Sequence, residues 1–490
     1  MFETAETGAK VGKAEFERRE PELRVQLVNA QYDLRAADFP FILVVAGDDW
    51  IAVDDVLDGL GEWMDGRFIH IHAMGPPSEE ERERPRFWRY WSRLPGRGRM
   101  AAFADAWGLA AFRERLTGAL DEHGFEHRLA QISRFEGDQA ADGALLIKLW
   151  LHVPRAVLEK RLERAKKDPK RAWRVEPATR EILERWDEAM QAARRLIEVT
   201  DEADRPWHII EAADRRTAGL RVAETILTAL RRRLDAPKPN PPPEPKGAAA
   251  DERRASVLST VDLTKALSRE EYEKRLEKRQ RKLFELAREA AQAGVSTLLA
   301  FEGWDAAGKG GVIRRITRAT DSRTTRTVPV AAPSDEERAH HYLWRFWRQL
   351  PRAGRLLIFD RSWYGRVLVE RVEGFAREDE WRRAYSEIND FEEQLCESGM
   401  VVLKFWLHID PGEQLARFRA RERTAYKKYK ITEEDYRNRE RWSDYEAAVD
   451  EMVRRTSTTH APWQLIPAND KRYARVATLD ILCDALEARL

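Results

Sequence analysis

Cysteine is nearly missing: the 490 residues hold two, Cys396 and Cys483, far apart and outside any CxxC pair. That argues against a disulfide scaffold and against a cysteine zinc site. No apolar run approaches the roughly 20 residues that span a bilayer. The start, Met1-Phe2-Glu3, lacks the basic segment and apolar run of a signal peptide. The expectation is a cytoplasmic protein with no membrane partner. A charge excess is missing too, since 86 Lys and Arg face 85 Asp and Glu, so only local clustering can point to an anionic partner. What is abundant is charge itself, 35% of a chain long enough for two or three domains with cores of their own.

An internal repeat organises that length. Tyr90-Trp91-Ser92-Arg93-Leu94-Pro95 returns as Phe346-Trp347-Arg348-Gln349-Leu350-Pro351, and Lys148-Leu149-Trp150-Leu151-His152 as Lys404-Phe405-Trp406-Leu407-His408. Pro206-Trp207 and Pro462-Trp463, and Asp214 and Asp470, keep the same spacing of 256. The chain reads as a tandem duplication: residues 1–234, a Pro-rich linker over 235–255, and residues 256–490. In the second copy a charged helix near 268–293 precedes the apolar run Ser296–Phe301. Further apolar runs follow at Arg355–Asp360 and Met400–Leu407, with helical stretches between. Short apolar runs alternating with helices predict buried parallel strands. The fold class is therefore α/β, two tandem three-layer domains with parallel central sheets, for which a turn and a basic segment in the second copy add a P-loop-kinase-like character and a helical lid.

After the first of those strands comes Glu302-Gly303-Trp304-Asp305-Ala306-Ala307-Gly308-Lys309-Gly310-Gly311, then the helix-like Val312–Ile316. The spacing Gly303-x4-Gly308-Lys309 is that of a P-loop. Small residues at 303, 306–308, 310 and 311 let backbone amides close around a phosphate. The helix adds its positive end and Lys309 a point charge. Gly310 stands where most P-loops place the Ser or Thr that holds Mg²⁺, so a metal must find oxygens elsewhere. Asp305 in the turn and Asp360 at a strand end are the candidates, and Arg361 and Arg366 follow close enough to steady a transferred group. Beyond the last apolar run, Arg417 and Arg421 share one helix face, and Lys427 and Lys428 lie in a basic cluster. In nucleotide kinases this region is a lid that closes over phosphates.

The second copy resembles the type-2 polyphosphate kinase family. The resemblance rests on the Glu302–Gly311 turn, Phe359-Asp360-Arg361-Ser362-Trp363-Tyr364-Gly365-Arg366, Lys404–His408, and Thr456-Ser457-Thr458-Thr459-His460-Ala461-Pro462-Trp463. It implies Asp305 and Asp360 around Mg²⁺ (Mn²⁺ as the alternative), Lys309 on phosphate, and Arg361, Arg366 and the lid cations on polyphosphate. The duplicated layout resembles the class that phosphorylates AMP to ADP from polyphosphate. The alternatives are nucleoside diphosphates as acceptors or an ATP-dependent P-loop nucleotide kinase. Expected partners are polyphosphate and AMP or ADP, not nucleic acid, with a homo-oligomer left open.

The first copy has lost this chemistry. Gly308, Lys309 and Gly310 correspond to Ala52, Val53 and Asp54, Asp360 to Ala104, and Arg361 to Asp105, while Gly47 and Asp49 survive. Residues up to about 234 are expected to transfer no phosphate. The arginines between Arg82 and Arg99 make a polyphosphate-holding role conceivable there, tempered by Glu79, Glu80, Glu81 and Glu83.

Overall fold

The computed structural model describes residues 1–167, 177–236, 256–424 and 433–490, so most of the expected linker lies outside it. Among these residues ten strands form two sheets of five. In the first, β1 (Phe41–Gly47), β2 (Ile69–Ala73), β3 (Met100–Ala104), β4 (Leu145–His152) and β5 (Trp207–Glu211) lie in the order β2-β3-β1-β4-β5. In the second, β6 (Thr297–Gly303), β7 (Thr325–Pro329), β8 (Leu356–Asp360), β9 (Val401–His408) and β10 (Trp463–Pro467) repeat that order as β7-β8-β6-β9-β10. All pairings are parallel. Every strand of the second sheet begins and ends 256 residues after its counterpart, and the registers agree: Phe41 pairs Met100 and Leu145, and Thr297 pairs Leu356 and Val401.

Continuous apolar strands such as Phe41-Ile42-Leu43-Val44-Val45-Ala46-Gly47 need cover on both faces, and flanking helices give it. In the second copy the helix Arg269–Gln292 starts at a Ser268–Glu271 capping box and turns Leu283, Leu286 and Ala290 inward. It packs on the C-terminal helix Lys471–Arg489, whose cap Asp470 accepts the Tyr473 amide at 2.7 Å. The compact units are not contiguous halves. One is Met1–Pro77, Arg89–Asn240 and Asp335–His341; the other is Ser78–Trp88, Pro241–Ser334 and Tyr342–Leu490.

In the second unit the chain runs from β6 outward to β7, back to β8, and then to β9 on the other side of β6. The carboxyl ends of β6, β8 and β9 therefore surround a topological switch point, where open α/β sheets form a crevice.

Candidate active site

Beyond β6 the backbone turns on residues that accept unusual dihedrals. Gly303 has φ +143°, and a Cβ there would meet the Leu407 carbonyl at 2.6 Å, so only glycine fits against β9. Ala306 (φ +64°) and Gly308 (φ +114°) are left-handed, and Gly308 caps the helix Lys309–Thr317. A Cβ at Gly310 would meet nothing within 4 Å, leaving the helix end open. Lys309 Nζ bends back to donate to the Gly303 carbonyl at 2.6 Å. Arg361, just past β8, also has positive φ (+65°), and its amide donates to the Phe301 carbonyl.

Glu302 fixes these two turns to each other. It is 6% exposed, and its carboxylate accepts from both the amide and the hydroxyl of Ser362, at 2.7 and 2.8 Å. Burial raises its pKa, and the nearby Lys309 charge opposes the rise. Between the turns lies a pocket lined by Glu302, Gly303, Trp304, Asp305, Lys309, Arg361, Gly365, Leu368, Val369, Trp406, Gln414, Asn438 and Tyr445. Trp304 stacks on Trp442 with centroids 3.6 Å apart and donates to His408 Nδ1 at 3.0 Å. Burial pushes His408 down to about 4, so the ring accepts as a neutral base. The Trp406 indole N–H is buried without a hydrogen-bond partner among the described residues.

The expected residues separate into groups. Asp305, Lys309, Arg361 and Gly303 do line one pocket. Asp305 stands 3.3 Å from Arg361 Nη2 and accepts from Asn438 Nδ2 at 3.2 Å. Asp360 ends β8 opposite Phe301 of β6, two residues before Gly303. Arg366 is elsewhere: its guanidinium lies over the Tyr342 ring, with Glu370 at 3.1 Å and Glu380 at 3.7 Å.

Arg417 is a correction. It was expected to face polyphosphate, yet it is 5% exposed and donates to the carbonyls of Ala306, Ala307, Ala468 and Asn469 at 2.6–3.0 Å. Its donors are spent on the turn, which it holds from behind. Arg421 is half-buried, and Lys427 and Lys428 lie outside the described residues.

Sequence reasoning missed Lys471 and Arg475 on the C-terminal helix. Burial depresses the Lys471 pKa, and the charges of Arg417, Arg475 and Arg421 add to that. Arg475 lies beside Gly311, its Nη2 3.5 Å from where a Cβ would stand. Asn438, Tyr445, Gln414 and Trp406 were also missed. Their only signal was placement near the basic segment or within Lys404–His408, too little to identify a pocket wall.

The first copy folds the equivalent turn differently. There the helix Trp50–Trp63 begins at the position equivalent to Ala306, so the loop itself is wound into helix. Val53, at the lysine position, is 1% exposed in the core. Asp49 caps that helix through the Ile51 amide and pairs with Arg161 at 2.6 Å. Trp150 donates to Asp48, where the second copy has Trp304. Of the basic run between Arg82 and Arg99, Arg89 and Arg93 donate to the main-chain carbonyls of Gly75 and Arg89.

A glycine turn feeding a helix at the switch point of a parallel sheet defines the class first: an α/β phosphotransferase of the kinase type. Residues 10–238 and 266–490 each match the family model Polyphosphate kinase 2 (PPK2), and the chain belongs to that family. It is 44% identical over 492 residues to a polyphosphate:AMP phosphotransferase of Pseudomonas aeruginosa, covering 100% of this chain and 99% of the relative. It is 35% identical to one of Acinetobacter johnsonii, covering 96% of both. The crystal structure of a protein described as a candidate polyphosphate kinase 2 from Pseudomonas aeruginosa superposes with a TM-score of 0.90 at 42% identity, covering 100% of this chain and 99% of that one.

Proposed function

We propose that this chain transfers the terminal phosphoryl group of polyphosphate to AMP, forming ADP, and that residues 256–490 carry the reaction. The observation that carries this reading is the open glycine turn with Lys309 at the switch point, in a chain alike end to end to proteins named for that activity.

An AMP phosphate oxygen bonds to the terminal phosphorus, the bridging P–O bond breaks, and the shortened polyphosphate leaves with the bridging oxygen. No covalent enzyme intermediate is required; positioning and charge stabilisation suffice. Lys309 exchanges its Gly303 carbonyl contact for the transferred phosphate, a better acceptor because it is charged. Arg361 faces the same pocket and steadies developing charge on the equatorial oxygens. Arg417 keeps the turn's shape. Arg421, Lys471 and Arg475 offer cations beside the helix end for the rest of the polyphosphate.

A hard cation suits the donor set. Asp360 makes no side-chain hydrogen bond or ion pair among the described residues, and Asp305 is held by a neutral amide and, at 3.3 Å, by the half-exposed Arg361. Two carboxylates leave room for waters and phosphate oxygens, which Mg²⁺ keeps in its coordination shell. Asp305 and Asp360 would hold it, and once bound it would neutralise charge on the transferred phosphate.

The test is product analysis with polyphosphate, Mg²⁺ and either AMP or ADP. ADP from AMP as the main product is expected. ATP from ADP as the main product would move the chain to another acceptor, and no product from either would return it to an ATP-dependent kinase.

A further inference from the structure

Asp305 and Asp49 hold the same place in the two copies but are treated oppositely. Asp49 is 1% exposed and neutralised by Arg161. In the second copy the equivalent guanidinium, Arg417, is drawn off by Glu413 at 2.5 Å and by main-chain carbonyls. Val157 stands where Glu413 does and offers no such pull. In place of the tight, buried Arg161 bond, Asp305 Oδ2 accepts an amide hydrogen from Asn438, and Oδ1 meets the half-exposed Arg361 guanidinium only at 3.3 Å.

That amide is itself held. The Asn438 side-chain carbonyl lies 3.3 Å from the Tyr445 hydroxyl, which is also 3.3 Å from Glu373. Glu373 is in turn paired with Arg437 and Arg441 at 3.3 and 3.5 Å. The first copy has Ile182, Ala189 and Thr117 at the positions of Asn438, Tyr445 and Glu373, so the whole chain of contacts is gone.

We infer that Asn438, steadied by Tyr445, is a positioning residue for Asp305: it aims the carboxylate into the pocket without cancelling its charge. A guanidinium would orient the group and neutralise it together, as Arg161 does to Asp49. An amide orients the carboxylate and adds no positive charge of its own, so the longer 3.3 Å contact to half-exposed Arg361 is the guanidinium contact that a divalent cation would compete with. Outer contacts of this kind are typically worth about 10–100-fold in metal affinity or activity.

The inference rests on the Mg²⁺ role proposed above for Asp305, and its test has an arm without turnover. In the full chain, Mn²⁺ binding is followed by EPR with AMP present and no polyphosphate, for wild type, Asn438→Ala, Tyr445→Phe and the control Asp305→Asn. Mg²⁺ activation and the AMP KM are measured in parallel. Asn438→Ala should weaken Mn²⁺ binding about 10–100-fold and shift Mg²⁺ activation equally. The AMP KM should stay within about twofold and the melting temperature should not change. Tyr445→Phe should act in the same direction, more weakly, and less than additively with Asn438→Ala. Unchanged Mn²⁺ binding in Asn438→Ala overturns the inference while leaving an active wild type's function standing. An inactive wild type overturns the function, and the Mn²⁺ arm still decides the role of Asn438. If Asp305→Asn also binds Mn²⁺ normally, the inference fails with its premise.

Discussion

The two copies have the same strand boundaries, sheet order and register, and they part company at the carboxyl ends of their central strands. The duplication therefore offers a comparison inside one chain: contacts that both copies keep hold the fold, and those that the second copy alone presents are assigned to the chemistry. Lys404 is a case in point. It pairs with buried Glu392 at 2.7 Å, and Lys148 pairs with Glu136 at the same distance. Trp363 and Trp107 both donate to the same carboxylates. Burial pushes each glutamate up and each lysine down, each opposed first by its partner's charge. Persistence in the copy without a glycine turn marks this network as structural. Glu302 and Ser362 behave the other way, since the first copy has Ala46 and Ala106 there. The left-handed backbone at Arg361 survives at Asp105 (φ +53°), so the strained turn has outlived the guanidinium it presented.

The comparison can be broken most sharply by moving first-copy residues into the second. Asp360→Ala, which installs the residue of position 104, should lower kcat by on the order of a thousandfold or more while the protein still melts cooperatively. A mild loss would remove Asp360 from the chemistry.

Lys404→Met and Lys148→Met should each cost about 3–5 kcal/mol in denaturant unfolding, because each strands a buried carboxylate. A large cost in only one copy would refute the shared structural role.

At the strand-end histidines the copies should differ in sign. His408 is held down at about 4, below an unfolded value near 6.5. The unfolded chain takes up the proton first, so stability falls as pH drops through that window, by about 2 kcal/mol at pH 5. His152 is buried too, but Asp48 overrides the burial and raises it. Its contribution is complete below about 6.5 and is lost as pH rises through its folded value. NMR titration of the two rings checks both directions, and shifts of the same sign would contradict the account.

The smallest effect is expected at Arg475→Gly, which copies Gly219. It should weaken polyphosphate binding modestly and reduce its salt slope by about one. An unchanged slope would take Arg475 off the polyphosphate path.

Much of this was legible in the sequence. The repeat, the alternating apolar runs and the Gly303–Lys309 spacing are local signals, and local signals fix β6, β8, β9 and the turn between β6 and its helix. Arg417 was misread because a helical arginine near a phosphate turn has the same spacing whether it faces ligand or carbonyls. Only the fold brings Ala468 and Asn469 to its guanidinium. Asn438, Tyr445 and Lys471 were invisible for the same reason: each reaches the site from far along the chain through tertiary contacts. The winding of positions 50–52 into helix was half-legible, since Ala52 favours helix more than the glycine it replaces.

The central claim is that one copy performs the transfer and the other has surrendered it. Lys309→Ala in the full chain, assayed for ADP formed from polyphosphate and AMP, tests it most directly. The account predicts loss of the activity to background with the melting temperature unchanged, because Val53 already fills that place in a folded first copy. Substantial Mg²⁺-dependent ADP formation by that variant would mean that residues outside the Gly303–Lys309 turn carry the reaction, and would contradict it.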